Sequence, residues 1–145
     1  LLPLLSADYV NPDTGKNALH TAASVGCSLQ LFDRILSFTM DVNAVDSSGH
    51  TALMIATYKN RPHFVRSLVQ DNRVDPNIVN NRRNTALHMA VRRGYLKIVR
   101  ELLNLDNIDT EIVGYGNLTP WELASTLELT FIAIEFQKHF ERVHN

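Results

Sequence analysis

Short groups of apolar residues alternate with polar stretches along the chain, and one six-residue group recurs four times. The copy at 85–90 reads Thr-Ala-Leu-His-Met-Ala, with a threonine in the position of a helix N-cap. The other copies begin at Asn17, Thr51 and Thr119, so that successive copies lie 34 residues apart. A constant period of this length indicates an internal repeat in which each copy begins a helix.

A second apolar pattern with helical spacing follows each of the first three copies. Its positions are Leu31, Phe32, Ile35 and Leu36, then Phe64, Val65, Leu68 and Val69, then Ile98, Val99, Leu102 and Leu103. Helix breakers separate the two patterns of each unit, at Gly26, at 60–62 and at Gly94, and polar turn stretches join the units. The pattern therefore predicts units of two short helices, at roughly 12–45, 46–79, 80–113 and 114–145.

A turn followed by two helices, with a Thr-Pro-Leu-His-x-Ala motif in the first helix, resembles the ankyrin repeat. The third unit carries the resemblance best, through 85–90 and Gly94, and the fourth has the Thr119-Pro120 pair. The resemblance covers essentially all of residues 1–145 and implies one domain, an all-α solenoid of about four stacked helix-turn-helix units with β-hairpin-like connections. Arg83 stands where the turn glycine is usual, so we expect that turn to be reshaped.

The two ends of the chain depart from the regular repeat. Residues 1–11 resemble the remnant of a preceding unit or an N-terminal cap, with Leu4 and Leu5 ending a helix and Tyr9 in the strand that follows. Residues 128–145 are predicted to form one long helix. Its core-facing positions are Leu129, Ile132, Ala133, Phe136, Phe140 and Val143, and its polar positions are Glu135, Lys138, His139, Glu141 and Arg142.

Phe131 and Ile134 lie off the apolar stripe of this last helix. The terminal unit of a solenoid normally has a polar outer face. These two residues therefore either pack on a neighbour outside the repeat or form a second contact site.

Composition limits the class of protein. With 145 residues, of which 45% are apolar and 20% charged, the chain is typical of a soluble globular domain that buries its own core. The single cysteine, Cys27, excludes an internal disulfide and fits a reducing compartment, so we expect a cytoplasmic or nuclear protein. No apolar run approaches the ~20 residues of a membrane span, and we expect no membrane insertion.

Candidate catalytic and metal-binding groups are few. His20 and His88 hold equivalent positions two units apart, roughly 20 Å at the usual spacing of packed elements, so they do not share a metal ion. The ankyrin resemblance implies instead that each bonds the backbone of the turn linking two units. No nucleophile motif or phosphate-binding glycine loop is present. We expect a non-catalytic protein with no cofactor.

The net charge of −1 hides an uneven distribution. Residues 58–100 contain ten basic and two acidic side chains, a local charge of +8, while the rest of the chain is negative. Arginine forks pair well with carboxylates and phosphates. The sequence therefore favours a protein partner with an acidic or phosphorylated segment, and ordinary solvated charges are the alternative, because Arg66, Lys97 and Arg100 are predicted on the second helices.

The ankyrin resemblance implies that partners bind the concave face, formed by the turn tips and the exposed side of the first helices. Carried onto this chain, that face supplies the candidate contacts His50, Tyr58, Lys59, Arg82, Arg92, Arg93 and Tyr115. The same resemblance makes Asn43 a candidate for hydroxylation.

Other functions stay open at this stage. The chain could be a substrate-recruiting or scaffold segment of a larger multidomain protein. A nucleic-acid binder using the basic central repeats is the weaker alternative, because no stacked aromatic row and no reading motif is present. We expect a monomer, or contacts through the chain ends.

Overall fold

The computed structural model describes residues 8–145, and these residues form eight helices in four successive pairs. The helices are α1 (Ala18–Val25), α2 (Leu29–Phe38), α3 (Ala52–Tyr58), α4 (Pro62–Gln70), α5 (Ala86–Arg93), α6 (Leu96–Leu103), α7 (Pro120–Thr126) and α8 (Thr130–His144). The prediction of an all-α solenoid of helix pairs is confirmed. The helix end predicted at Leu4 and Leu5 lies outside the described residues.

The helices form two layers. The first helices α1, α3, α5 and α7 contact one another in order, as do the second helices α2, α4, α6 and α8, and each helix also contacts the partner in its own unit. Among residues 8–145 no strand is formed, and each later connection is a turn closed by backbone hydrogen bonds. In the turn before α3, for example, the N–H of Asp46 donates to the carbonyl of His50 at 3.0 Å.

Small residues on the first helices and large ones on the second helices build one continuous core. Buried alanines such as Ala23, Ala56 and Ala90 let the first helices lie close together. Across the second layer, the rings of Phe32 and Phe64 stack in parallel with their centroids 4.1 Å apart. Each unit therefore buries its apolar face against the next one rather than within itself.

The four predicted N-caps are confirmed. The side-chain oxygen of Asn17, Thr51, Thr85 or Thr119 accepts a hydrogen bond from the backbone N–H three residues later, at 3.0 to 3.3 Å. These bonds satisfy one of the free donors at each helix start. They fix where every first helix begins and therefore which of its side chains face the concave side.

His20 bridges the first and second units. Its Nδ1 accepts a hydrogen bond from the backbone N–H of Asn17 at 3.1 Å, and its Nε2 lies 3.0 Å from the carbonyl oxygen of His50. Because Nδ1 is an acceptor, the proton sits on Nε2, which donates to His50. The buried imidazole thus joins the start of α1 to the turn that precedes α3.

His88 repeats this arrangement two units later. Its Nδ1 accepts from the N–H of Thr85 at 3.3 Å, and its Nε2 donates to the carbonyl of Leu118 at 3.1 Å. Met54 occupies the equivalent position in the second unit and makes no such bond, while Glu122 in the fourth unit closes the cap with its carboxylate instead. The interpretation of the two histidines as bridging residues is confirmed.

Three expectations for the last helix are wrong. It begins at Thr130, because Glu128 adopts a left-handed φ of 55° and forms the turn between the helices. His139, expected on the polar side, is only 7% exposed, and its Nδ1 donates to the carbonyl of Leu103 at 2.9 Å. Val143, expected in the core, is exposed because α8 extends beyond the stack.

The turn at Arg83 is not reshaped. Arg83 has a φ of 65°, close to the 77° of Gly49 at the equivalent place in the preceding turn. The same closing bond forms, from the N–H of Asn80 to the carbonyl of Asn84 at 3.0 Å. The side chain therefore accepts a left-handed conformation at a cost of about 1 kcal/mol rather than altering the turn.

Thr57 offers a test of core packing. Among residues 8–145 its hydroxyl is the one fully buried side-chain nitrogen or oxygen without a hydrogen-bond partner. Because valine has the same shape without that group, we expect Thr57→Val to raise the free energy of unfolding by roughly 1–2 kcal/mol in urea titrations. As a control, Thr51→Val removes a cap and should lower it by about 1 kcal/mol. If Thr57→Val were less stable than the natural chain, the hydroxyl of Thr57 would have to make a stabilising hydrogen bond, against this assignment.

The two bridging histidines predict an acid-sensitive stack. Burial lowers the pKa of both His20 and His88, and the charge of Arg92 adds to the effect at His88. The folded state therefore binds fewer protons than the unfolded state, in which histidine has a pKa of about 6.5. The free energy of unfolding should be highest above that pH and fall as the pH drops through 6.5 toward the lowered folded values.

Urea titrations between neutral pH and about pH 5 measure this effect. The double variant His20→Gln, His88→Gln should be less stable than the natural chain at neutral pH, because both bridges are disturbed. It should also lose less stability on acidification, because it lacks the two lowered pKa values. Parallel loss in the two proteins would show that other groups cause the acid sensitivity.

Candidate partner-binding surface

A depression of about 430 Å³ lies on the concave side, between α3, α5 and the turns that precede α5 and α7. We call it the central pocket. It is lined by His50, Tyr58, Asn80, Arg82, Asn84, Met89, Arg92, Arg93 and Tyr115. The structure thus brings together all the candidate contacts predicted on this face except Lys59.

Lys59 lies beside the central pocket rather than in it. It lines an adjoining depression of about 250 Å³ that also includes His50 and Tyr58. Its Nζ lies 5.9 Å from the centroid of the Tyr58 ring. The guanidinium carbon of Arg93 approaches the same ring more closely, at 4.6 Å. Cation–π attraction therefore holds the guanidinium of Arg93 against Tyr58, which lines both depressions.

Two arginines of the second helices are neutralised by carboxylates. The Nη2 of Arg66 on α4 lies 2.6 Å from the carboxylate of Glu101 on α6, and the Nε of Arg100 on α6 lies 3.0 Å from that of Glu135 on α8. These pairs connect successive units across the outer layer. Surface pairs of this kind contribute little stability, but they cancel local charge.

The arginines of the central pocket differ from Arg66 and Arg100. Among residues 8–145, Arg82, Arg92 and Arg93 form no ion pair with a carboxylate. Arg92 lies close enough to His88 to lower the pKa of that imidazole. The three pocket arginines are therefore unpaired together, whereas Arg66 and Arg100 on the second helices are each held by a carboxylate.

Two further arginines of the basic segment donate hydrogen bonds to backbone carbonyls. Arg61 donates from Nε and Nη2 to the carbonyls of Ala23 and Ser24, both at 3.1 Å, at the end of α1. Arg73 donates to carbonyls at the end of α2 and pairs with Asp71, whose pKa this hydrogen bond lowers. The local charge of +8 is thus only partly available to a partner.

The pocket floor contains two asparagines, Asn80 and Asn84, and the sequence analysis did not select Asn80. The Oδ1 of Asn80 accepts hydrogen bonds from the N–H groups of Arg82 at 2.9 Å and Asn84 at 3.1 Å. The Oδ1 of Asn84 accepts from the N–H of Tyr115 at 3.1 Å. Asparagine at the start of a turn was the available signal, because its side chain often bonds the backbone two residues later.

Gly114 is required beside this floor. A Cβ at this position would lie 2.6 Å from the Oδ1 of Asn84 and 2.7 Å from the ring of His88. Both distances are shorter than side-chain carbons tolerate. The close approach of the fourth unit to the third therefore depends on a residue without a side chain.

Asn43 lies on the loop after α2, away from the central pocket. Its Nδ2 donates to the carbonyl of Arg73 at 2.8 Å, and its Oδ1 accepts from the N–H of Asp75 at 2.8 Å. Asn77 makes the same two bonds one unit later. These asparagines connect the loops of neighbouring units, and hydroxylation of Asn43 stays a prediction.

Phe131 and Ile134 lie on the surface of α8, with 73% and 43% of their area exposed. Within residues 8–145 no helix covers this side of the last unit. A contact with a second partner there stays a prediction.

The central pocket contains hydrogen-bond donors and no cluster of metal-binding side chains. Within residues 8–145, no cluster of three or more histidine, cysteine or acidic side chains has an arrangement that could hold a metal ion. Cys27 is half-buried and not part of such a cluster. What the central pocket offers is a set of hydrogen-bond donors beside two tyrosines.

No helix within residues 8–145 is both long enough and apolar enough to cross a membrane.

One curated protein shows similarity over part of the chain. Over 68 residues the chain is 37% identical to Palmitoyltransferase AKR1 of Candida glabrata. The matched segment is 47% of this chain and 9% of that protein, so the chain spans less than a tenth of the relative's length.

A family model provides broader coverage. A model of ankyrin repeats, in three copies, matches residues 1–80 and 19–114. The match includes the bridging histidines and most of the central pocket. Together with the stacked helix pairs and the capped first helices, it shows that the chain belongs to the ankyrin repeat family.

Proposed function

We propose that the chain uses the central pocket to bind an anionic segment of a partner protein. As a member of the ankyrin repeat family the chain is a protein-interaction module. The observation that supports the finer proposal is the state of the three arginines that line the pocket. None of them is paired with a carboxylate within residues 8–145, whereas Arg66 and Arg100 on the second helices are.

Unpaired arginines suit such a segment for energetic reasons. Hydrogen bonds to charged groups contribute about 1.5–3 kcal/mol each, and arginine forms two at once with a carboxylate or phosphate. Tyr58 and Tyr115 add large contact areas with few rotatable bonds, as is common for residues that dominate binding energy. The exposed positive charge also accelerates the encounter with an anionic partner.

The similarity to a palmitoyltransferase favours a second candidate. In this alternative the repeats recruit substrates, or act as a scaffold, for a larger protein whose catalytic part lies elsewhere. The matched segment covers only a small share of that enzyme, so its activity is not transferred to these repeats. Both candidates use the concave face for binding, and they differ in what is attached to it.

Charge reversal tests the proposed surface. A fluorescein-labelled polyglutamate peptide serves as the anionic probe, and its anisotropy reports binding. The double variant Arg92→Glu, Arg93→Glu should bind the peptide at least tenfold more weakly, because two attractive contacts become repulsive. Its melting temperature should stay within about 2 °C of the natural chain, since both side chains are exposed.

A matched control changes the net charge equally on the other layer. Arg34 and Lys97 are exposed on the second helices, and neither forms an ion pair within residues 8–145. The variant Arg34→Glu, Lys97→Glu should keep most of the affinity. Equal weakening in both variants would show a response to total charge and refute the assigned surface. Tighter binding to duplex DNA than to the peptide would favour the nucleic-acid alternative.

A further inference from the structure

We propose that the central pocket recognises a phosphorylated serine or threonine of the partner, in preference to a run of carboxylates. This inference rests on the proposed function, because it specifies the anionic group that enters the same pocket. It is carried by the two buried asparagines of the pocket floor and by the direction in which their side-chain amides are fixed.

The amide of Asn80 is oriented by the backbone. Its Oδ1 receives two N–H donors, from Arg82 and Asn84, and a side-chain NH₂ group could not take that place. The free arm of this side chain, meaning the half of the amide that makes no hydrogen bond within residues 8–145, is therefore Nδ2. Asn80 is 9% exposed, so this donor belongs to a side chain that is held in place.

Asn84 has the same property. Its Oδ1 accepts from the N–H of Tyr115, which leaves Nδ2 without a partner in the described part of the chain, and the residue is 8% exposed. The one sealed and unpaired side-chain polar atom among residues 8–145 belongs to Thr57. The free nitrogens of both asparagines therefore retain accessible surface, and both residues line the pocket.

The preceding turn shows what the asparagine changes. There Asp46 makes the equivalent bonds, its Oδ1 accepting from the N–H groups of Ser48 and His50, both at 2.9 Å. Its free arm is a carboxylate oxygen, Oδ2, which lies 4.0 Å from the Nδ1 of His50. Asn80 keeps the same turn and replaces the free acceptor by a donor. The turn of the third unit therefore repels an anion less than the preceding turn does, and the NH₂ group of Asn80 can donate a hydrogen bond to it.

The pocket as a whole presents donors without acidic competitors. Its lining includes three guanidinium groups and two free amide NH₂ groups, and it includes no carboxylate. A phosphate monoester has three acceptor oxygens and a charge of about −1.5 to −2 at pH 7. A carboxylate has two oxygens and a single charge. Donors gathered around one depression therefore suit a compact, highly charged group better than a linear series of carboxylates.

The experiment uses three synthetic peptides that differ only at the central residue, which is phosphoserine, glutamate or serine. Binding to the whole chain is followed by NMR through the side-chain NH₂ signals of Asn80 and Asn84. The phosphoserine peptide should shift both signals saturably, with an affinity at least tenfold above that of the glutamate peptide. The serine peptide should shift neither.

An isosteric variant isolates the free arm. Asn80→Asp keeps the Oδ1 bonds that Asp46 makes in the preceding turn, and it replaces the NH₂ group by a charged oxygen. We expect the melting temperature to be little changed and phosphoserine binding to weaken at least tenfold. Asp46→Asn, the opposite exchange in the neighbouring turn, should not weaken it. If Asn80→Asp fails to fold, Arg82→Gln at the exposed turn tip should give the same loss.

The outcomes separate this inference from the proposed function. Equal affinity for the phosphoserine and glutamate peptides, or asparagine signals that do not move, would overturn the phosphate preference and leave the anionic surface intact. If neither these peptides nor polyglutamate binds, both proposals fail. Tighter binding of vesicles containing phosphoinositides, followed by the same signals, would overturn the assignment to a protein segment.

Discussion

The structure depends on one constraint, which is that a pair of short helices cannot bury its own apolar face. The first helices have seven or eight residues, and isolated helices of that length are not stable in water. Each pair therefore gains stability only from its neighbours, through close alanine contacts in one layer and larger side chains such as Phe32 and Phe64 in the other. Position within the stack, rather than local preference, fixes where the turns and the pocket lie.

Much of this architecture was predictable from the sequence because its signals are local or periodic. Thr85 and its counterparts cap helices through bonds spanning three residues, so the motif alone located every first helix. Counting turns from that cap also placed Arg92 and Arg93 at the exposed end of α5. The period itself required the units to stack in order.

The features that were missed depend on contacts between distant residues. Nothing near His139 in the sequence indicates that its ring reaches the carbonyl of Leu103, 36 residues away. The pair of Arg66 and Glu101 spans 35 residues, so the neutralisation of this arginine was also hidden. Asn80 was overlooked because its free donor is evident only once the bonds to its oxygen are known.

Gly114 has a consequence for how this surface can evolve. A Cβ at this position would collide with both a bridging residue, His88, and a residue of the pocket floor, Asn84. Any mutation there disturbs the scaffold and the binding site together, so selection on either one preserves it. The side chain of Arg82, at the edge of the pocket, is exposed and makes no hydrogen bond to this bridge within residues 8–145, so it can vary independently. Partner preference can therefore change through exposed residues such as Arg82, while the buried residues of the pocket floor stay the same.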